Sequence, residues 1–220
     1  MKKLLSVYLV FVFSLLSSHA ATIDTTPTWG GQDIGFIGTK GSKYVGQIFT
    51  VSSSTRIDQI TFYLAHEAGS NPLQFNIQLR MWDISSNTPV GGDIFISPLQ
   101  QTLGTGAAPI HPGFSVEPYT VNTGGIELLS GQSYIAFLST INATFESSGW
   151  VGYAGDVYNG GQSAFVQQGA SPSVSWTTGF PDPGGDLAVK MSFNIPEPSA
   201  YLLTSIGVLS LMRRTRRFLS

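Results

Sequence analysis

Two stretches of this 220-residue chain alternate apolar and polar residues one by one. Leu73, Phe75, Ile77, Leu79 and Met81 are separated by Gln74, Asn76, Gln78 and Arg80; Leu187, Val189, Met191, Phe193 and Ile195 are separated by Ala188, Lys190, Ser192 and Asn194. A period of two held over nine residues predicts a β-strand with one face in a core and the other in water, and it does not fit the 3.6-residue period of an amphipathic helix. Further β-rich runs cover residues 44–51, 57–64, 94–96, 116–121 and 164–167. The unbroken run Tyr134-Ile135-Ala136-Phe137-Leu138 predicts a central strand buried on both faces.

Turn signals separate these runs: Asn87-Thr88-Pro89, Gly91-Gly92, Gly124-Gly125, Asn159-Gly160-Gly161 and Asp182-Pro183-Gly184-Gly185. Gly and Asn supply positive φ there, and Pro presets a negative one. Eight to ten short strands at this spacing predict an all-β chain, an antiparallel β-sandwich of jelly-roll or Greek-key type, in one domain over residues 21–195. Residues 22–28 and 195–199 read as flexible flanks. The chain has no cysteine, so the sandwich must hold without disulfides, and thiolate nucleophiles, Cys-ligated zinc and iron–sulfur clusters are excluded.

The formal charge of −2 hides an uneven distribution. Six of the eleven Lys and Arg lie in the first three or last eight residues, so residues 21–198 carry five basic residues against all thirteen acidic ones, a balance of about −8. An acidic body without a basic face argues against nucleic acid as a partner. At the N-terminus, Lys2-Lys3 precede the apolar run 4–16 and the sequence Ser17-Ser18-His19-Ala20. Residues 1–20 therefore read as a secretory signal peptide cut by signal peptidase between Ala20 and Ala21; the run is too short for a bilayer span of roughly 20 residues. The alternative is an uncleaved N-terminal anchor.

Residues 196–220 form a second address: Pro196-Glu197-Pro198, an apolar run starting at Tyr201, then Arg213, Arg214, Arg216 and Arg217 interrupted by Thr215. Basic residues stay on the cytoplasmic side, which leaves the body outside. This arrangement resembles the PEP-CTERM sorting signal of Gram-negative bacteria. The resemblance implies a C-terminal hydrophobic sorting helix, transient anchoring in the inner membrane and processing by an exosortase-like membrane protease. It further implies delivery to the cell envelope, the outer surface or the exopolysaccharide matrix. A plain tail anchor is the alternative. The order of features in the body, from Gly46-Gln47-Ile48-Phe49 through Met81-Trp82-Asp83 to Asp186-Leu187-Ala188, looks like a body type that accompanies such tails; it implies a sandwich, carries no assigned activity and leaves function open.

No catalytic residue is identified. His66 and His111 sit near no G-x-S-x-G elbow, the Gly-rich pieces lack the ending of a phosphate loop, and no pair of carboxylates stands out for glycoside hydrolysis. A glycan hydrolase is accordingly the last alternative, and no cofactor is expected. Asp182 and Asp186 are candidate ligands for a structural Ca²⁺, against the simpler reading of a Pro-Gly turn. Sugar rings stack on aromatic faces, so the stretch Trp150, Tyr153, Asp156 and Tyr158 is a candidate glycan-binding loop, with Trp82 and Trp176 as weaker ones; the simpler reading makes these rings core filling. The expected function is an exported, non-catalytic surface or matrix protein with a structural or adhesive role in the biofilm exopolysaccharide, and a carbohydrate-binding module is the alternative. Extracellular polysaccharide is then the expected partner.

Overall fold

A computed structural model describes residues 21–27, 29–39, 41–67, 71–103, 108–109, 114–144, 148–166, 176–179 and 183–194. The expected signal peptide, the expected sorting tail, Asp182 and His111 lie outside the described residues. Among the described residues all regular structure is strand, and no helix is long and apolar enough to cross a membrane.

The strands run β1 (Ala21–Asp24), β2 (Asp33–Gly38), β3 (Tyr44–Thr50), β4 (Thr55–Glu67), β5 (Gln74–Asp83), β6 (Thr88–Ile96), β7 (Gln100–Gln101) and β8 (Ala108–Pro109). They continue as β9 (Phe114–Leu128), β10 (Ser133–Ser139), β11 (Ser148–Gly155), β12 (Gly161–Val166), β13 (Trp176–Thr178), β14 (Asp186–Leu187) and β15 (Val189–Asn194). They form two antiparallel sheets packed as a sandwich. In the first sheet, β4 pairs along one edge with β9 and along the other with β15 and then β11; β1 flanks β15, while β2 and β14 flank β11. The second sheet runs β13-β12-β3-β10-β5-β6, with β7 against β5. Successive long strands β3, β4, β5 and β9, β10, β11, β12 alternate between the sheets, so most pairings join strands distant in sequence.

The alternating runs face inward as their pattern requires. Phe75, Ile77 and Leu79 from β5 meet Val189, Met191 and Phe193 from β15 in a core shared with Phe49, Phe62 and Tyr134. On the far side of β15, Lys190 and Asn194 are exposed, as expected. On the far side of β5 they are not: Gln74, Asn76 and Gln78 are 5–8% exposed. A second cluster explains this, in which Tyr44, Ile48, Trp82, Ile135, Phe137 and Trp176 fill the outer face of the second sheet. Four strand spacings of about 4.8 Å would separate β13 from β5 by about 19 Å on a flat sheet. Instead the rings of Trp82 and Trp176 lie 5.8 Å apart, and Asn87 Nδ2 donates to Thr178 Oγ1 at 3.3 Å. The sheet therefore curls until its two ends meet, and every residue of β10 is buried. Arg80 lies 5.7 Å over the Phe137 ring and forks onto Asp93.

Three expectations are corrected. The flank expected at 22–28 is not loose over its described part, residues 22–27: β1 pairs residue for residue with β15 from Ala21↔Phe193 to Asp24↔Lys190. Thr25 Oγ1 accepts from Val189 N at 2.8 Å and donates to Leu187 O at 2.6 Å, which fixes the end of that strand. Gly124-Gly125 does not turn the chain. Both residues have φ of 79°, and they lie inside β9 in a bulge where the register with β4 shifts between Ile57 and Gln59. Gly91-Gly92 likewise sits in a bulge of β6, opposite Arg80. In both places glycine bends a strand within its pairing.

Candidate functional site

β11 carries Trp150 and Tyr153 of the candidate glycan-binding stretch, and its alternation splits them between two faces. Val151 and Tyr153 point into the core, Tyr153 being 7% exposed. Trp150, paired with Ala65, therefore lies on the outer face of the first sheet, half-buried. The two rings cannot form one stacking platform. After β11, Asp156 is exposed, whereas Tyr158 folds back against the core and its hydroxyl donates to Thr50 O at 3.2 Å. Burial raises the Tyr158 phenol above its ordinary value.

This fold-back is fixed by Asp186, which is fully buried between the sheets. Its Oδ1 accepts from Gln47 Nε2 at 2.6 Å, and its Oδ2 accepts from the backbone N–H groups of Val157 at 3.0 Å and Tyr158 at 2.7 Å. Leu187 N donates to Gln47 Oε1 at 2.9 Å and closes the network. Burial, with the Asp156 charge adding to it, pushes the Asp186 carboxyl above its ordinary value against the pull of these N–H donors. Both oxygens are thus engaged by hydrogens, an arrangement suited to holding a loop and poorly suited to coordinating Ca²⁺. Among the described residues no group of three His, Asp or Glu could hold a metal.

The outer face of the first sheet assembles a different set of groups. Trp29 lies over Gly152: a Cβ on that glycine would stand 2.7 Å from Trp29 Cζ2, so only glycine admits the ring so close. Trp29 Nε1 donates to Gln32 O at 2.7 Å, and its ring meets Tyr63 edge-on with centroids 5.5 Å apart. Tyr63, placed on β4 between the core residues Phe62 and Leu64, faces outward, as does Trp150 two residues before Gly152. Along the same face run Thr61 with Thr120 at 2.8 Å, Gln59 with Asn122 at 3.0 Å, and Lys190 with Asp24 at 3.3 Å. Burial alone would raise the Asp24 carboxyl, but hydrogen bonds from Thr26 and Lys190 outweigh it and hold it below its ordinary value. The result is three half-buried aromatic rings beside a row of amides, hydroxyls and one ion pair.

Sequence reading named Trp150 from this face and missed Trp29 and Tyr63. Tyr63 was detectable as an aromatic at the water-facing position of an alternating run; Trp29 follows a turn and had no periodic signal. Trp82 and Trp176, the weaker candidates, come together inside the second cluster, each 5–6% exposed. A shallow pocket of about 160 Å³ opens beside the start of β1, lined by Ala21, Ile23, Thr50, Ser52, Tyr158 and Phe193. Compared with known proteins, the chain matches no protein-family model, and no curated protein matches it.

Proposed function

We propose that the chain is an exported, non-catalytic protein of the cell surface or extracellular matrix, sorted through its C-terminal PEP-type signal, with a structural or adhesive role in the exopolysaccharide. The observation that supports this reading is the pairing of the first described strand with the last. β1 lies just after the expected signal-peptidase cut and β15 just before Pro196-Glu197-Pro198, and the two pair from Ala21↔Phe193 to Asp24↔Lys190. The strands next to the two expected addresses thus belong to one sheet and pair with each other. The test is the intact mass of the protein recovered from cells and medium. A species that begins at Ala21 and ends between residues 196 and 199 is expected. One that still carries Arg213–Arg217 would favour a plain tail anchor.

A second reading, a carbohydrate-binding module, draws on the outer face of the first sheet. Trp29, Tyr63 and Trp150 offer apolar ring surface next to neutral hydrogen-bonding pairs, a combination that suits a sugar with one apolar face and a rim of hydroxyls. Retention on the native exopolysaccharide should fall for Trp29→Ala and for Trp150→Ala. Undiminished retention of both variants, or none by the wild type, would count against binding at this face.

A further inference from the structure

We infer that the end of the sandwich formed by turns 51–54 and 129–132 is a docking surface for the phospholipid headgroup layer during export. The inference rests on the two-address reading above and adds which surface faces the membrane. Two membrane segments with their basic residues on the same side tie both ends of the body to the same face of one membrane. They could have emerged from opposite ends of the sandwich. They do not, because β1 and β15 are antiparallel neighbours: Ala21 pairs with Phe193, so the chain enters and leaves about 5 Å apart.

The same end gathers the start of β4, where Thr55 Oγ1 donates to Asn194 O at 3.0 Å, and the two turns, where Val51 N donates to Gln132 O at 3.1 Å and Ser130 Oγ donates to Ser52 O at 2.9 Å. Those turns read Val-Ser-Ser-Ser and Leu-Ser-Gly-Gln and carry no charge. The first charges behind them, Arg56 and Glu127, face each other in register. An acidic body of about −8 is repelled by anionic headgroups, and a tip of serines is where that repulsion is weakest. Leu129, 60% exposed on the same tip, offers apolar surface to the interface. The six residues 195–200 ahead of Tyr201 reach at most about 20 Å when fully extended, which confines this end to the membrane surface while the tail is inserted.

Because the chain has no cysteine, single Ser53→Cys and Ile141→Cys variants of the full chain each accept one fluorophore. Ser53 is exposed on the tip, and Ile141 is exposed past the far end of the seven-residue strand β10, about 24 Å away. Each is incorporated into phosphatidylethanolamine–phosphatidylglycerol vesicles containing a headgroup-labelled quencher, with Ser54→Cys as a second tip site should Ser53→Cys misfold. Loss of emission at the tip and none at Ile141→Cys is the expected result. Equal loss at both sites, or greater loss at Ile141→Cys, overturns the docking surface and leaves the tail reading standing. Failure of the chain to associate with vesicles at all overturns both.

Discussion

Replacing Asp186 by Asn tests whether the buried network holds the loop after β11. In the native network every donor facing the carboxylate has an acceptor: Gln47 Nε2 on Oδ1, and the Val157 and Tyr158 N–H groups on Oδ2. If the introduced amide turns its oxygen to the two backbone donors, its NH₂ meets the hydrogens of Gln47 Nε2. Gln47 must then rotate, which takes its Oε1 away from Leu187 N. Either way one interior donor loses its acceptor, at a cost of about 1–3 kcal/mol. Urea unfolding followed by tryptophan emission at about pH 7 measures it.

The pH dependence has a definite sign. The Asp186 carboxyl titrates above its ordinary value of 3.8 in the folded protein, so between those two values the native state holds a proton that the unfolded chain has released. Wild-type stability from this group therefore falls as pH rises through that window, and the amide variant has no such contribution. The other carboxylates are common to both proteins and cancel in the difference. The deficit of Asp186→Asn should be larger at the acid end of the window than above it. A variant as stable as wild type at about pH 7, or a deficit that does not change across the window, would refute the reasoning.

Two glycines give sharper steric tests. A Cβ on Gly46 would stand 2.5 Å from Phe137 Cβ and 2.6 Å from Ala136 O on the neighbouring strand. Gly46→Ala should therefore lower the urea midpoint by the equivalent of about 1–3 kcal/mol, and an unchanged midpoint would show that the curled sheet has slack at this point. Gly152→Ala acts on the aromatic face, because the new methyl would meet Trp29 Cζ2 at 2.7 Å and Ala188 Cβ at 2.8 Å. The Trp29 ring should lift from the sheet, with tryptophan emission shifting to longer wavelength and polymer retention falling; emission identical to wild type would show that the ring does not rest on Gly152.

The sequence by itself determined the strand class and the facing of the best strands. Period-two patterning at Leu73–Met81 and Leu187–Ile195 states which side chains enter a core, and the unbroken run at 134–138 states that β10 has no wet face, because these are local properties of a pleated chain. Local pattern could not say what covers the outer side of β10. That depended on the curl that brings Trp176 to Trp82 across four strands, a contact between residues 94 positions apart. Glycine pairs were legible as places of positive φ, yet whether such a place turns the chain or bulges it depends on a partner strand, so Gly124-Gly125 and Gly91-Gly92 were misread. Asp186 looked like a turn residue or an ion ligand until the second sheet placed Gln47 against it. The aromatic face is a tertiary product in the same sense: Trp29, Tyr63 and Trp150 come from three separate segments, and only the packing of Trp29 onto Gly152 of β11 brings the first of them to the sheet.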